Sequence, residues 1–324
     1  MRSILNGLLI ALSMYSKIPV PQAEWNERNM RYAFCFFPLV GALIGGIGYG
    51  LYYLFDFLAF PPLLVAACVT VLPVLVTGGI HLDGFCDTLD AVSSRQPRER
   101  KLEILKDSHA GAFAIIWCVV YFVAYFAAAG TLTLQTYAVF ALAYPLERAL
   151  SALSIMNFRS AKEGLASTFK NSGSRAAVSV VCALWLVAAA AGCILLSPVL
   201  GAIVIGCGIA AYLLCIAVIF KTFGGMSGDL AGWLLQVIEL VMLLAAAIGG
   251  FYLCCRLSSA AGRRGKLNLS EHNSVCRTRK SFPPRKLTRI LPRARSCIWK
   301  NSSESAAARR SPLWKNGSRR RIGS

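Results

Sequence analysis

Apolar runs of about 20 residues recur from Tyr32 to Cys255 and constrain this chain more than any other feature. Each run is long enough to cross a hydrocarbon core about 30 Å thick as a helix. A helix also satisfies its own backbone hydrogen bonds, which a spanning segment in lipid requires. With 56% hydrophobic and only 15% charged residues, a large water-soluble core is excluded. The sequence therefore predicts an all-α, polytopic transmembrane helical bundle.

The apolar runs predict about seven spans. Their approximate bounds are 32–57, 62–79, 111–130, 134–155, 176–196, 199–220 and 230–255. The N-terminal stretch begins with Arg2 and an apolar run, as a signal peptide does, but it lacks a small-residue cleavage site and continues into Lys17 and Pro19. We therefore expect a retained, amphipathic helix that is interfacial or re-entrant.

The composition changes abruptly after Cys255. Of the 34 lysines and arginines, 19 follow this residue, together with only two acidic residues. Residues 256–324 have no apolar period, which predicts a disordered basic tail after a membrane domain at 1–255. Clustered arginine would suit nucleic acid or anionic lipid. The abrupt change favours instead a non-native segment with no selected role, such as the product of a shifted reading frame, and no nucleic-acid partner is expected.

The loops on the two sides of the predicted spans differ in charge. Basic residues occupy the loops at 17–31, 80–110, 156–175 and 221–229, whereas the turns near 58–61, 131–133 and 197–198 have no Lys or Arg. The positive-inside rule therefore predicts that the charged loops are cytoplasmic. Seven spans would leave the basic tail outside, which is a second reason to doubt that the tail is native.

The stretch "GGIHLDGFCDTLDA" at 78–91 ends an apolar segment with three aspartates. Asp83, Asp87 and Asp90 are spaced i, i+4, i+7, so a helix would place them on one face. Three carboxylates at a membrane edge repel one another unless a cation lies among them. An acidic helix cap is the alternative, but a cap needs only one aspartate. We predict that these three residues are catalytic and bind a metal ion.

Mg²⁺ suits this site because it prefers oxygen ligands and completes its coordination with waters and substrate phosphates. A phosphate-bearing substrate is therefore expected. Gly78, Gly79 and Gly84 lack side chains, so a phosphate or a neighbouring backbone can approach them closely, and we predict that they bind substrate. The twelve cysteines include no C-x-x-C pair, so a zinc site is not expected.

A second polar motif, "KDSHAGAFA" at 106–114, precedes the next span on the same predicted side. Asp107 and His109 are predicted to be catalytic, with His109 as a general base, a phosphate ligand or an interfacial polar group. The alternative is that Asp107 or Ser108 caps the following helix. Lys106 is predicted to bind substrate.

A third polar motif, "KTFGGMSGDLAG" at 221–232, also precedes a span. Gly224, Gly225, Gly228 and Asp229 resemble a loop that offers backbone N–H groups to a phosphate at a helix N-terminus. Lys221 adds a positive charge where an anionic ligand would lie. We predict that these five residues bind substrate, and a Gly-rich turn between two spans is the alternative.

Further charged residues have two interpretations each. Glu147 and Arg148 lie at the end of a span, where an ion pair explains them at least as well as catalysis. Arg159, Lys162 and Lys170 follow in the next loop, either as orientation signals or as phosphate clamps.

Taken together, the three motifs G-G-x-H-x-D-G-x-x-D-x-x-D-A, K-D-S-x-x-G and G-G-x-x-G-D resemble the cobalamin synthase family, also called adenosylcobinamide-GDP ribazoletransferases. The resemblance covers roughly residues 1–250. It implies a bacterial inner-membrane enzyme that joins adenosylcobinamide-GDP to α-ribazole or its 5′-phosphate and releases GMP, with Mg²⁺ as cofactor. The hydroxyl or phosphate of the ribazole would attack the cobinamide-side phosphorus, and Mg²⁺ on Asp83, Asp87 and Asp90 would stabilise the departing GMP.

Two other classes of protein use aspartates in membranes. A CDP-alcohol phosphotransferase would require D-G-x-x-A-R, but Asp83-Gly84 is followed here by Phe85-Cys86-Asp87 without an arginine. An ion-coupled transporter would place its carboxylates near the bilayer midplane, whereas these lie at a basic edge. The identity of the lower-ligand base and the presence of an oligomer are left open.

Overall fold

The computed structural model describes residues 2–107 and 109–263. All regular elements in this part of the chain are helical, which confirms the predicted all-α class. The helices are α1 (Arg2–Tyr15), α2 (Glu27–Met30), a short 3₁₀ helix (Ala33–Phe36), α3 (Phe37–Phe57), α4 (Pro62–Thr77), α5 (Ile80–Ser93), α6 (Arg98–Ile104), α7 (Ala112–Ala129), α8 (Leu134–Ala141), α9 (Ala143–Asn157), α10 (Leu165–Ser172), α11 (Arg175–Leu196), α12 (Pro198–Thr222) and α13 (Gly228–Arg263).

Six helical segments of the described chain are long and apolar enough to cross a membrane. They are Glu27–Phe57, Ala112–Ala129, Leu134–Asn157, Arg175–Leu196, Pro198–Thr222 and Gly228–Cys255. Helices α4 and α5 would make a seventh span if they are counted as one bent segment. The prediction of about seven spans is therefore confirmed by length and composition. Helix α1 is apolar but has only 14 residues, and it packs on α2, the 3₁₀ helix and α3.

A sharp break separates α4 from α5. Gly78 has φ +68° and Gly79 has φ +81°, a left-handed conformation that residues with a Cβ rarely adopt. The two helix axes are bent by 95° there. Because α5 carries three aspartates in 14 residues, we place it outside the six spanning segments. The glycine pair thus turns the aspartate helix away from the direction of α4.

Small residues allow the spans to pack closely. A Cβ added to Gly41 or Gly45 of α3 would collide with the backbone of Tyr144 or Ala141, respectively. Such close backbone approach is typical of helices in membranes, where packing replaces the hydrophobic driving force. The outer surface is apolar: Leu195 on α11, for example, is 85% exposed. This surface is the one expected to meet lipid.

Residues Met1–Ala260 form one compact unit. This unit contains all six spanning segments found in the described part of the chain. Helix α13 continues to Arg263, eight residues beyond the predicted domain end at 255. The predicted disordered tail is 256–324, and its residues from 264 onward lie outside the described residues.

Candidate functional site

The three aspartates of the first motif lie on one helix, α5, as predicted. Asp83 is exposed, and Asp87 and Asp90 are half-buried. The carboxyl group of Asp90 lies against Gly111, the residue that precedes α7, and a Cβ on that glycine would collide with it. The carboxyl group of Asp87 interacts electrostatically with those of Asp83 and Asp90. Helix α5 therefore carries three neighbouring acidic groups, and Asp90 lies against the start of α7.

Helix α5 also touches the beginning of α13. A Cβ built on Gly84 would lie 2.7 Å from the carbonyl oxygen of Asp229 and 2.8 Å from its Cα. Of the two predicted reasons for a glycine at this position, the structure shows the close approach of a neighbouring backbone. Asp229 also interacts electrostatically with Asp87. The first and third sequence motifs, which lie far apart in the chain, therefore meet in the fold.

The pKa of Asp87 reflects its burial and the acidic groups that surround it. Burial raises the pKa of Asp87 to about 6, and the charges of Asp83 and Asp229 act in the same direction. The Lys162 ammonium group opposes them and lowers this pKa. Acidic groups of α5 and α13 thus share one region with the ammonium group of Lys162.

Lys162 connects three segments around this acidic region. Its Nζ lies 2.6 Å from Oδ2 of Asp229 and donates a hydrogen bond of 2.7 Å to the carbonyl oxygen of Leu105. The Lys162 side chain is only 16% exposed. The loop after α9 is therefore fastened both to the end of α6 and to the start of α13.

The loop after α9 pairs with the Gly-rich loop before α13. The Ala161 N–H donates to the Met226 carbonyl, and the Met226 N–H donates to the Arg159 carbonyl, each at 2.8 Å. The Arg159 Nε donates to the Gly224 carbonyl. A Cβ on Gly225 would lie 2.7 Å from the Arg159 carbonyl oxygen. Gly225 is therefore needed for contact between the two loops.

Three basic residues belong to this site although the sequence motifs do not contain them. The sequence allowed two interpretations of Arg159 and Lys162, as orientation signals or as phosphate clamps. In the fold, Arg159 contacts the Gly-rich loop and Lys162 contacts Asp229 at its end. The Arg98 guanidinium lies against Gly224, which has φ +74°. The basic composition of the loops is the only sequence signal for these residues, because the contacts arise from folding.

Asp107 and His109 form a pair of their own. The Nδ1 of His109 lies 2.7 Å from Oδ1 of Asp107, and the His109 N–H donates to the same oxygen at 3.0 Å. These hydrogen bonds hold the pKa of Asp107 below its usual value. The interpretation of Asp107 as the helix cap is wrong, because α7 begins at Ala112 with Gly111 as its N-cap. The His109 side chain is 91% exposed and accessible to a ligand.

The remaining predicted substrate-binding residues have different surroundings. Lys106, Lys221 and Gly228 are exposed. A Cβ on Gly78 would collide with the aliphatic stem of Lys17, whose N–H donates to the Val76 carbonyl at 2.7 Å. A Cβ on Gly79 would have its nearest neighbour at 3.8 Å, in the side chain of Val74. Gly78 thus accommodates the N-terminal segment, whereas Gly79 leaves open space.

A metal centre made of protein ligands alone is not formed among the described residues. They contain no group of three or more His, Cys, Asp and Glu side chains arranged to hold an ion. The donors present nevertheless suit Mg²⁺, which is usually bound by one or two carboxylates together with waters and substrate phosphates. Asp83 and Asp87 offer such oxygens beside Asp229. The three-aspartate ligand set therefore stays a prediction.

These features define a polytopic helical membrane protein with an acidic site built where an aspartate helix meets two basic and Gly-rich loops. Sequence comparison identifies the class more closely. The chain belongs to the cobalamin-5-phosphate synthase family, whose profile matches residues 7–247.

Several curated relatives support this membership. A protein of Lachnoclostridium phytofermentans named adenosylcobinamide-GDP ribazoletransferase is 45% identical over 249 residues, which cover 75% of this chain and 94% of the relative. Proteins of the same name from Clostridium botulinum and Clostridium perfringens are 34% and 30% identical, and the matches cover 76% of this chain and 99% and 100% of those relatives. No solved structure matches the chain.

Proposed function

We propose that this protein is an adenosylcobinamide-GDP ribazoletransferase of the bacterial inner membrane, with its site loops in the cytoplasm. It joins adenosylcobinamide-GDP to α-ribazole or α-ribazole 5′-phosphate and releases GMP, with Mg²⁺ as cofactor. The product is adenosylcobalamin or its 5′-phosphate. The observation that carries this proposal is the meeting of α5 with the Asp229 loop, in a chain whose curated relatives bear this name.

The reaction makes one phosphodiester bond and breaks one bond of a diphosphate. A ribose hydroxyl oxygen of the ribazole attacks the cobinamide-side phosphorus. The bond from this phosphorus to the bridging oxygen breaks, and GMP leaves with the electron pair. The hydroxyl proton requires an acceptor. The Asp107 carboxylate favours the His109 tautomer that carries its proton on Nδ1, and this tautomer would leave Nε2 free to accept the hydroxyl proton.

The acidic and basic residues of the site have complementary roles in this reaction. Asp83 and Asp87 would hold Mg²⁺, which when bound neutralises negative charge on the diphosphate and the departing GMP. Gly228, which is exposed at the start of α13, would offer its backbone N–H to the phosphates. Arg98 and Arg159 border that loop and add positive charge beside it. Lys162 holds Asp229 in place next to Asp87.

The decisive assay is GMP release by membranes that contain the protein. Adenosylcobinamide-GDP, α-ribazole and Mg²⁺ are supplied together, and each is omitted in turn. We expect GMP only in the complete mixture, with α-ribazole 5′-phosphate tested as a second acceptor. A parallel reaction with a CDP-alcohol and an alcohol acceptor tests the alternative phosphotransferase by CMP release. Folded protein that releases CMP but no GMP would overturn the proposed function.

A further inference from the structure

A second polar cluster lies inside the helical bundle, outside the site described above. Glu147 and Arg148 on α9 and Glu239 on α13 are each at most 1% exposed. Arg148 Nη1 is paired with Glu147 Oε1, which confirms the ion-pair interpretation of these two residues. Arg148 also donates a hydrogen bond of 3.2 Å to the carbonyl of Tyr144. The proposed reaction uses none of these residues.

The cluster lies deep within the spanning segments. Glu147 precedes the end of α9 at Asn157 by ten residues, and Glu239 follows Asp229 by ten residues. At about 1.5 Å per residue, both carboxyl groups are about 15 Å from the helix ends that carry the site loops. This depth is about half of a 30 Å hydrocarbon core. Bulk water therefore cannot solvate these charges.

The acidic groups of this cluster are incompletely satisfied. Oε2 of Glu147 and both carboxyl oxygens of Glu239 are buried without a well-formed hydrogen bond among the described residues, and the Tyr125 hydroxyl and the Glu147 carboxyl group lie beside Glu239. The two carboxyl groups lie against each other, and Glu239 also interacts electrostatically with Arg148. Buried acidic oxygens without partners are costly. Two adjacent carboxylates that face each other without an intervening positive charge would also repel.

The charges in the cluster do not balance. Two glutamates and one arginine leave one excess negative charge if all three are ionised. The polar groups around them are neutral and bonded to one another: Tyr121 donates to Gln236 at 2.7 Å, and the Tyr125 and Tyr144 hydroxyls are 2.8 Å apart. His81 interacts electrostatically with Arg148. A positive charge on His81 would be repelled by this guanidinium, so the imidazole does not offset the excess.

We propose that Glu147 and Glu239 together bind one monovalent cation, a proton or an alkali metal ion, which completes the charge balance with Arg148. A divalent ion does not fit, because it would leave the buried cluster with one excess positive charge instead of balancing it. The bound cation links α9 to α13. The loop after α9 contains Lys162 of the functional site, and the start of α13 contains Asp229.

The test uses the purified full-length protein in lipid nanodiscs. Infrared spectroscopy detects a protonated carboxyl group by its C=O band, which shifts in D₂O. Thermal unfolding in sodium, potassium and choline chloride detects an alkali ion. The variants are Glu239→Gln, which keeps the side-chain shape without the charge, and Glu99→Gln as an exposed control.

If a proton is bound, the wild-type protein at neutral pH shows a carboxyl band that is lost in Glu239→Gln and kept in Glu99→Gln. Labelling the glutamate carboxyl carbons with ¹³C in the wild-type protein assigns the band to glutamate even if the variant does not fold. If an alkali ion is bound, the unfolding temperature of the wild-type protein rises with sodium or potassium but not with choline, and Glu239→Gln loses this dependence. A wild-type protein with neither a protonated glutamate band nor an alkali-dependent unfolding temperature would overturn the proposal.

Discussion

Substitution of Gly84 by alanine tests whether α5 and α13 must lie in backbone contact. The added Cβ would lie 2.7 Å from the Asp229 carbonyl oxygen, whereas ordinary contacts begin at 3.4 Å, so the two segments must separate by about 0.7 Å. The obstructing atoms belong to the backbone, so a side-chain rotation cannot relieve the clash. Overpacking of this kind costs about 1–3 kcal/mol. The better helix propensity of alanine offsets about 1 kcal/mol of that cost.

The effect of Gly84→Ala on activity should exceed its effect on stability. A misplacement of about 1 Å in a catalytic site costs about 100-fold in rate, so a separation of 0.7 Å predicts a decrease between about tenfold and 100-fold. The assays are the rate of GMP release at saturating substrates and the thermal unfolding midpoint in detergent. The matched control is Gly46→Ala on α3, where an added Cβ has no neighbour within 4 Å. Wild-type turnover in Gly84→Ala, or an equal loss in Gly46→Ala, would refute this reasoning.

Three further predictions concern the acidic site and the tail. Asp83→Asn and Asp87→Asn should remain in the membrane fraction but lose GMP release, because each removes a charge from the proposed Mg²⁺ site. Asp90→Asn should have a milder effect, since its carboxyl group faces the start of α7, and equal activity in all three variants would refute a metal role. Lys162→Met should lower the free energy of unfolding by about 1–3 kcal/mol, because Asp229 loses its charged partner; an unchanged unfolding midpoint would contradict this. Truncation after Arg263 should preserve insertion and GMP release, since the family match ends at residue 247, and a large loss of activity would show that the tail is functional.

The spans were predictable from the sequence because the lipid environment requires long, continuous apolar helices. The direction of the chain between them was less predictable. Gly78 and Gly79 were interpreted as space for a phosphate or a neighbouring backbone, and the bend of 95° that their positive φ angles allow between α4 and α5 was not predicted. Leu142 similarly separates α8 from α9 inside one predicted span. Both features depend on backbone conformations that hydropathy does not encode.

In the site, relations between residues close in the sequence were predictable, whereas contacts between distant residues were not. The spacing of the α5 aspartates correctly predicted that they share a helix, because that relation spans only a few residues. The pairing of Lys162 with Asp229 and the contact between Glu147 and Glu239 join residues far apart in the sequence. Helix packing determines which of these residues contact each other. One sequence alone therefore indicated the candidate residues but not their contacts.

The most direct test of the proposed function is the ratio of GMP to phosphodiester product formed by the purified protein. Adenosylcobinamide-GDP, α-ribazole and Mg²⁺ are incubated with the protein in nanodiscs, and GMP and adenosylcobalamin are quantified by liquid chromatography and mass spectrometry. We expect equal amounts of the two products, and neither of them without α-ribazole or after Mg²⁺ is chelated. GMP formed without α-ribazole, or no GMP from folded wild-type protein in the complete mixture, would contradict the assignment.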